Sequence, residues 1–183
     1  MDMNNSKRIK EMIDRLGRIN AADEWGEDIN PTQHSALSYL ARANRFSRSP
    51  SQVSDFMTAT RGTVSQTLKV LARKGFIAET SSPNDKRSIS YSITEKGKAL
   101  LQKTGIIENA VSLCDDDETR LVLDGLETLM RNALKQRNFK VFGVCETCQY
   151  HRRKSEGLFC SLLGEPLSPA EAKQICHEYS KVA

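Results

Sequence analysis

The alternation of apolar and polar positions between Thr58 and Gly97 sets the frame for the whole chain. Val64, Leu68 and Leu71 recur at helical spacing and form one apolar stripe, while Arg61, Thr63, Gln66, Lys69 and Arg73 fall off it. One face of such a helix docks and the other is free to meet a partner. Gly75 follows as a C-cap, and Phe76–Thr80 and Ser88–Ile93 then read as two strands of a hairpin. The stretch between them, Ser81–Arg87, is turn chemistry ending in a basic pair. A helix with a polar outer face leading into a basic hairpin is what a winged helix-turn-helix needs: the helix enters a major groove, and the hairpin tip reaches the adjacent backbone or minor groove.

The same patterning places the flanking elements. Ile9, Met12, Ile13, Leu16 and Ile19 predict an amphipathic helix within Lys7–Ile19. The acidic stretch Ala21–Asn30 is predicted as a loop, with Trp25 as a core or interface anchor. Asn30-Pro31-Thr32-Gln33 starts a helix whose apolar positions are Ala36, Leu37, Tyr39, Leu40 and Ala43; Ser49-Pro50-Ser51-Gln52 starts the next, with Val53, Phe56 and Met57 apolar. A short link through Thr58–Thr60 joins it to the recognition helix, which completes a helix-turn-helix.

Beyond Gly97 a helix is predicted to Val111, with Cys114 after it as a buried apolar cysteine. Asp115-Asp116-Asp117-Glu118 suits the N-terminus of a further helix carrying Leu121, Leu123, Leu126, Leu129, Met130 and Leu134; helix-end charge explains these acids better than a metal site. These helices and the N-terminal one offer apolar surface for an intersubunit bundle, and a symmetric dimer suits palindromic DNA. The expected fold class is mainly α (α+β). Its organisation is an N-terminal dimerisation helix and loop (1–30), a winged helix-turn-helix (31–97), C-terminal dimerisation helices (98–138) and a cysteine-rich module (139–183).

Composition adds two constraints. The net charge of the 183 residues is only +4, so the distribution of charge matters more than its sum. Nine Lys or Arg stand against three acids between Arg61 and Lys103, which places the positive charge where the fold needs DNA. No apolar run approaches the roughly 20 residues that span a bilayer, and the N-terminus lacks the apolar segment of a signal peptide. A cytoplasmic location follows, and a reducing compartment turns five cysteines away from disulfides toward metal or redox chemistry. No glycine-rich phosphate loop, His-Glu-x-x-His or nucleophile–base set is present, so the chain does not read as an enzyme.

Four of the cysteines lie in the tail. Cys145 and Cys148 form a Cys-x2-Cys pair, eleven residues precede Cys160 and fifteen more precede Cys176. Four thiolates in a segment too small for its own core argue for a tetrahedral metal or cluster site whose occupancy drives folding. Zinc and iron–sulfur both satisfy that count. His151 and His177 stand beside cysteines but are expected outside the ligand set, and His34 is expected to be structural.

From about Lys7 to Arg137 the chain resembles the MarR family of bacterial winged-helix regulators. The likeness is carried by Asn30-Pro31-Thr32-Gln33, Arg61–Leu68, Lys74-Gly75-Phe76-Ile77, and Asp85-Lys86-Arg87 leading to Ile93–Gly97. The resemblance implies a homodimer on pseudo-palindromic double-stranded DNA, usually a repressor, with affinity changed by a small-molecule effector or by oxidation. Arg87 would enter the minor groove, with Lys86 beside it and Asp85 holding it in place; Arg61, Thr63, Ser65, Gln66 and Lys69 would face the major groove. Arginine pairs with guanine and glutamine with adenine, so Arg61 and Gln66 are the expected base readers and Lys69 a phosphate contact.

The tail resembles the cluster-binding part of high-potential iron–sulfur proteins, through Cys145-x-x-Cys148-Gln149-Tyr150, Cys160–Glu165, and Cys176 near Tyr179. It departs in a longer last gap and in Ile175, where that family has tryptophan. The resemblance implies a 4Fe-4S cluster on Cys145, Cys148, Cys160 and Cys176, with zinc the alternative. Only Tyr150, Phe159 and Tyr179 are aromatic neighbours in sequence, which predicts thin cover and a redox or oxygen sensor. The competing expectations are a regulator with a structural zinc and a small-molecule signal, and an electron-transfer or docking module that binds no DNA.

Overall fold

The computed structural model describes residues 3–25, 28–81 and 89–181. Helix α1 (Met3–Asp23) is longer than the predicted segment at both ends and absorbs the start of the acidic stretch. Helix α2 (Pro31–Arg42) begins on a capping box in which Asn30 accepts from the Gln33 backbone and Gln33 accepts from the Asn30 backbone. A 3-10 turn over Arg45–Ser47 precedes α3 (Pro50–Met57), which starts on a second capping box between Ser49 and Gln52. Helix α4 (Arg61–Arg73) is capped by Thr60. It ends with Gly75 at φ 77°, Gly75 N–H donating to Ala72 and Phe76 N–H to Leu71. That pair of bonds satisfies the last carbonyls of α4 and aims the chain into the hairpin.

Strands β1 (Ile77–Ser81) and β2 (Ile89–Ile93) pair antiparallel with Ile77 opposite Ile93 and Ser81 opposite Ile89, each strand beginning one residue after its predicted start. The core beneath them is the one the periodicity names: Ala36, Leu37, Tyr39, Leu40, Ala43, Val53, Val64, Leu68, Leu71, Phe76, Ile77 and Tyr91 are buried. Helix α5 (Glu95–Leu100) then closes tightly on it. A Cβ on Gly97 would stand 2.2 Å from the Phe76 carbonyl oxygen, so no other residue fits that crossing unless the backbone moves.

The single helix predicted to Val111 is broken. Helix α5 stops at Leu100, and α6 (Ile106–Val111) restarts with its first N–H held by the Asp23 carboxylate of α1 at 2.8 Å. Gly105 is the N-cap position of α6 and has no side chain to cap it, so a side chain on α1 supplies that bond. Helix α7 (Asp116–Arg137) begins on the expected acids, with Asp115 and Glu118 forming its capping box, and that cap accounts for the acid cluster. Two expectations of burial fail. Trp25 is 69% exposed and anchors no core in the protomer, and Cys114 is exposed because it sits in the link between α6 and α7, with no element packed over it. Apolar side chains of α1, α6 and α7 are likewise exposed, Leu121 by 75%.

The cysteine-rich tail is built of short strands. Strand β3 (Gly143–Val144) pairs antiparallel with the last strand, β7 (Ile175–Cys176), while β4 (His151–Lys154), β5 (Gly157–Cys160) and β6 (Glu165–Leu167) form a separate meander. A single helical turn, α8 (Pro169–Ala172), joins β6 to β7. The tail does not hang free of the rest. Phe142 packs edge-on against Tyr39 and Phe56, with ring centroids 6.0 and 5.2 Å away, and Ile175 of β7 forms an isolated parallel bridge with Ala43. No helix among the described residues is long and apolar enough to cross a membrane.

Candidate nucleic-acid interface and four-cysteine centre

Helix α4 separates its two faces as its sequence requires. Val64, Thr67, Leu68 and Leu71 are buried against α2 and α3, and Arg61, Thr63, Gln66, Lys69 and Arg73 are exposed. Ser65 is half-buried at the margin. Thr67 lies on the docked face without cost because its hydroxyl donates to the Thr63 carbonyl at 2.9 Å. The Thr63 hydroxyl shares a hydrogen bond with Thr60 at 2.9 Å, which fixes the first turn of the helix. Five side chains with donors therefore stand on one solvent face of a helix held rigidly from behind, as reading a groove requires. The wing-tip residues Asp85, Lys86 and Arg87 lie outside the described residues, although the strands that carry the tip are in place.

The hairpin is anchored from below. Tyr91 is buried and its hydroxyl donates to Glu79 across the ladder at 3.0 Å, while its backbone N–H donates to the Arg48 carbonyl, tying β2 to the segment before α3. Burial and the Glu79 carboxylate together push the Tyr91 phenol up to about 12.

Cys145, Cys148, Cys160 and Cys176 are each buried to within 3–7% exposure. They come from three places: the 3-10 turn after β3, the end of β5 and the end of β7. The cover differs from the predicted one. Phe46 of the winged helix and Leu167 join Tyr150, Leu158 and Tyr179 around the thiols, whereas Phe159 lies under the Lys154 ammonium, 3.5 Å from its ring centroid. Gly143 is needed for this cover, since a Cβ there would meet the Tyr179 ring at 2.6 Å. Thin shielding was inferred from neighbours in sequence, and the missing cover comes from a residue about a hundred positions upstream.

Electrostatics show what this pocket asks for. Burial, followed by the thiols of Cys176, Cys160 and Cys148 and the Glu171 carboxylate, pushes the Cys145 thiol up to about 12. Cys176 is also raised by burial, partly offset by the Asn44 amide, a backbone N–H at Glu178 and the Ser47 hydroxyl. The raised Cys145 and Cys176 thiols favour their neutral form unless a cationic group compensates the thiolate charge, which is the condition a bound metal satisfies. Among the described residues, no three His, Cys, Asp or Glu side chains are drawn up around one point in the arrangement a single ion needs.

Two histidines lie close to the thiols or to the strand that carries Cys176. His151 Nδ1 is 3.9 Å from the Cys145 sulfur, and His177 lies between Asp55 and Glu178 at 3.0 and 2.8 Å. His34 stands 3.2 Å from Glu24. What the sequence did not suggest is the set of winged-helix residues that reach the tail: Asn44, Arg45 and Ser47. Arg45 pairs with Glu171 and donates to the Pro166 carbonyl at 2.9 Å. Burial works against the ionised Glu171, but hydrogen bonds from Ser168 and Arg45 hold its carboxyl below the usual range. Nothing in the spacing of residues 44–47 marks them as contacts for a segment 120 residues away.

Residues 27–88 match the family model described as the MarR family. The chain is 27% identical over 81 residues to the HTH-type transcriptional regulator PapX of Escherichia coli, a match covering 44% of this chain and 49% of PapX, so it spans about half that relative. Among solved structures it resembles Streptococcus pneumoniae FabT in complex with DNA, with TM-score 0.57, 23% identity and coverage of 72% of this chain and 99% of that one. It resembles a MarR transcriptional regulator from Methanosarcina mazei Go1 with TM-score 0.58, 24% identity and coverage of 70% and 98%. The S. aureus MepR–DNA complex gives 0.56 at 20% identity, covering 69% and 96%. At these identities the likeness establishes the fold, a MarR-type winged helix with its flanking helices.

Proposed function

We propose that this chain is a MarR-type DNA-binding transcriptional regulator, acting as a homodimer on a pseudo-palindromic operator, usually as a repressor, with its affinity set by a 4Fe-4S cluster on Cys145, Cys148, Cys160 and Cys176. The observation that carries the DNA reading is the exposed face of α4, where Arg61, Thr63, Gln66 and Lys69 stand free above a fully buried apolar stripe. Arg61 and Gln66 have the donor geometry to read guanine and adenine edges, and Lys69 suits a phosphate. Support also comes from FabT and MepR, proteins of this fold whose structures contain DNA. Arg87 keeps its proposed place in the minor groove, with Lys86 and Asp85 beside it.

For the tail, four buried thiols supply the ligand count of a 4Fe-4S cluster, a count that a structural zinc would also use. A bound cluster would supply redox sensitivity, and the residues of this chain would do the rest: four thiolates hold it, and Phe46, Tyr150 and Tyr179 limit water around it. A second reading has its own observation. An open cleft of 830 Å³ lies between the end of α1, His34 and α5, lined by Trp25, Lys96 and Lys103, and would admit a small-molecule effector.

Fluorescence anisotropy with the DNA upstream of the protein's own gene, over a salt series, tests the regulator. Arg61→Ala or Gln66→Ala should weaken specific binding about 10- to 100-fold and relax preference at one base pair. Absence of salt-sensitive, sequence-specific binding by both the metal-loaded and metal-free protein would reject the regulator. One zinc per chain without iron or sulfide after anaerobic purification would reject the cluster.

A further inference from the structure

The four-cysteine centre does not stand apart from the winged helix: β7, the strand that carries Cys176, is bonded to the residues that follow α2. Asn44 follows α2 and is 1% exposed. Its backbone N–H donates to the Ile175 carbonyl at 2.9 Å, beside the bridge between Ala43 and Ile175. Its side-chain Oδ1 accepts from the Phe46 N–H at 3.1 Å and from the Ser47 hydroxyl at 2.8 Å, capping the 3-10 turn. Its Nδ2 is buried without a hydrogen-bond partner, and the strand to which Asn44 is bonded places Cys176 directly after Ile175 and before His177, whose N–H is held by Ser47. An amide N–H buried without an acceptor is costly, and the Cys176 sulfur, above all as a metal-bound thiolate, is an acceptor on the strand packed against Asn44.

We propose that Asn44 is a positioning residue that donates to the Cys176 sulfur, so that the junction between α2 and α3 receives the state of the four-cysteine centre and passes it to the recognition helix; this rests on the reading that these cysteines hold a metal cofactor. Contacts continue in one direction from there. Ser47 Oγ accepts from the His177 N–H at 2.9 Å, and the His177 ring meets Asp55 of α3 at 3.0 Å. Helix α3 packs directly on α4 and enters it through Thr58. The sulfur is thus joined to the helix that precedes α4 by four contacts, through Asn44, Ser47, His177 and Asp55, all packed and hydrogen-bonded groups of the kind that carry coupling between sites. Loss of the cofactor would leave a neutral thiol, a weaker acceptor, opposite Asn44, and would release β7 from a fixed position against residues 43–47.

The test uses the full chain loaded anaerobically with Fe²⁺ and sulfide. Asn44→Asp keeps the oxygen that caps the 3-10 turn but sets an acceptor against the sulfur in place of the donor. It should lose iron to EDTA about tenfold faster than the wild type, the order seen when groups that orient metal ligands are removed, and the ratio of DNA affinities between loaded and stripped protein should fall toward one. Cys176→Ser should fail to load. Hydrogen exchange on the wild type gives an independent readout: stripping the iron should raise exchange at the amides of residues 44–57 as well as in the tail. An Asn44→Asp protein with wild-type iron release and a wild-type affinity ratio overturns the proposal. So does a wild-type exchange change confined to residues 141–181, which decides the matter even if the variant does not fold. A wild type that takes up no iron and sulfide, or a Cys176→Ser that loads normally, instead overturns the cofactor reading beneath it.

Discussion

At the scale of single residues, buried polar atoms decide where the structure is committed. Tyr39 donates its hydroxyl to the Ser47 carbonyl at 2.6 Å, and burial holds its phenol well above the usual range. Tyr91 shows the same effect with a titration to follow. Its ordinary value is 10.0, and burial with the Glu79 carboxylate raises it to about 12. A raised acid favours its neutral form in the fold, so its contribution to stability is fully present below pH 10 and is lost as pH rises through about 12. Urea midpoints of wild type and Tyr91→Phe should therefore diverge less at pH 11 than at pH 8, and a constant difference across that range would contradict the assignment. Gly97 and Gly143 are fixed by space: the first admits the Phe76 carbonyl, the second the Tyr179 ring.

Helices and strands are set mostly by their ends. Helices α2, α3 and α7 each start on a capping box, two of them followed by proline, and these signals lie wholly within four consecutive residues. That is why their starts were legible in the sequence. The break between α5 and α6 was not, because the cap that restarts α6 is the carboxylate of Asp23 on another helix. The turn between α3 and α4 carries a strained residue: Thr58, β-branched, stands at φ 49°. Thr58→Asn places a residue there that tolerates this conformation and should raise stability by about 1 kcal/mol, read as a higher urea midpoint with unchanged slope. A lower midpoint would mean that the threonine makes a contact worth more than its strain.

Over the whole molecule, the described protomer leaves Leu121, Leu126, Leu129 and Met130 of α7 exposed together with the apolar side chains of α1. Isolated apolar side chains are ordinary on a surface; stripes on two long helices are not. They fit the homodimer proposed above, and Leu126→Glu combined with Met130→Glu should convert a dimer to a monomer in light scattering and reduce operator affinity at least tenfold, since a palindrome needs two recognition helices. A monomeric wild type, or a double variant that stays dimeric, would remove these helices from the interface.

The chain by itself determined what depends on local order. Periodicity named the core and the two faces of α4, capping residues named the helix starts, and the spacing of four cysteines marked the tail as a group of thiols. Tertiary structure alone decided what depends on distance along the chain. Trp25 and Cys114 are exposed because no other element arrives to cover them, and the thiols gain the cover of Phe46 from residues far upstream. The tail docks on Asn44, Arg45 and Ser47 because its last strand ends there. A side chain's own neighbours in sequence set its helix or strand; burial, partners and coupling come from groups that only folding brings near.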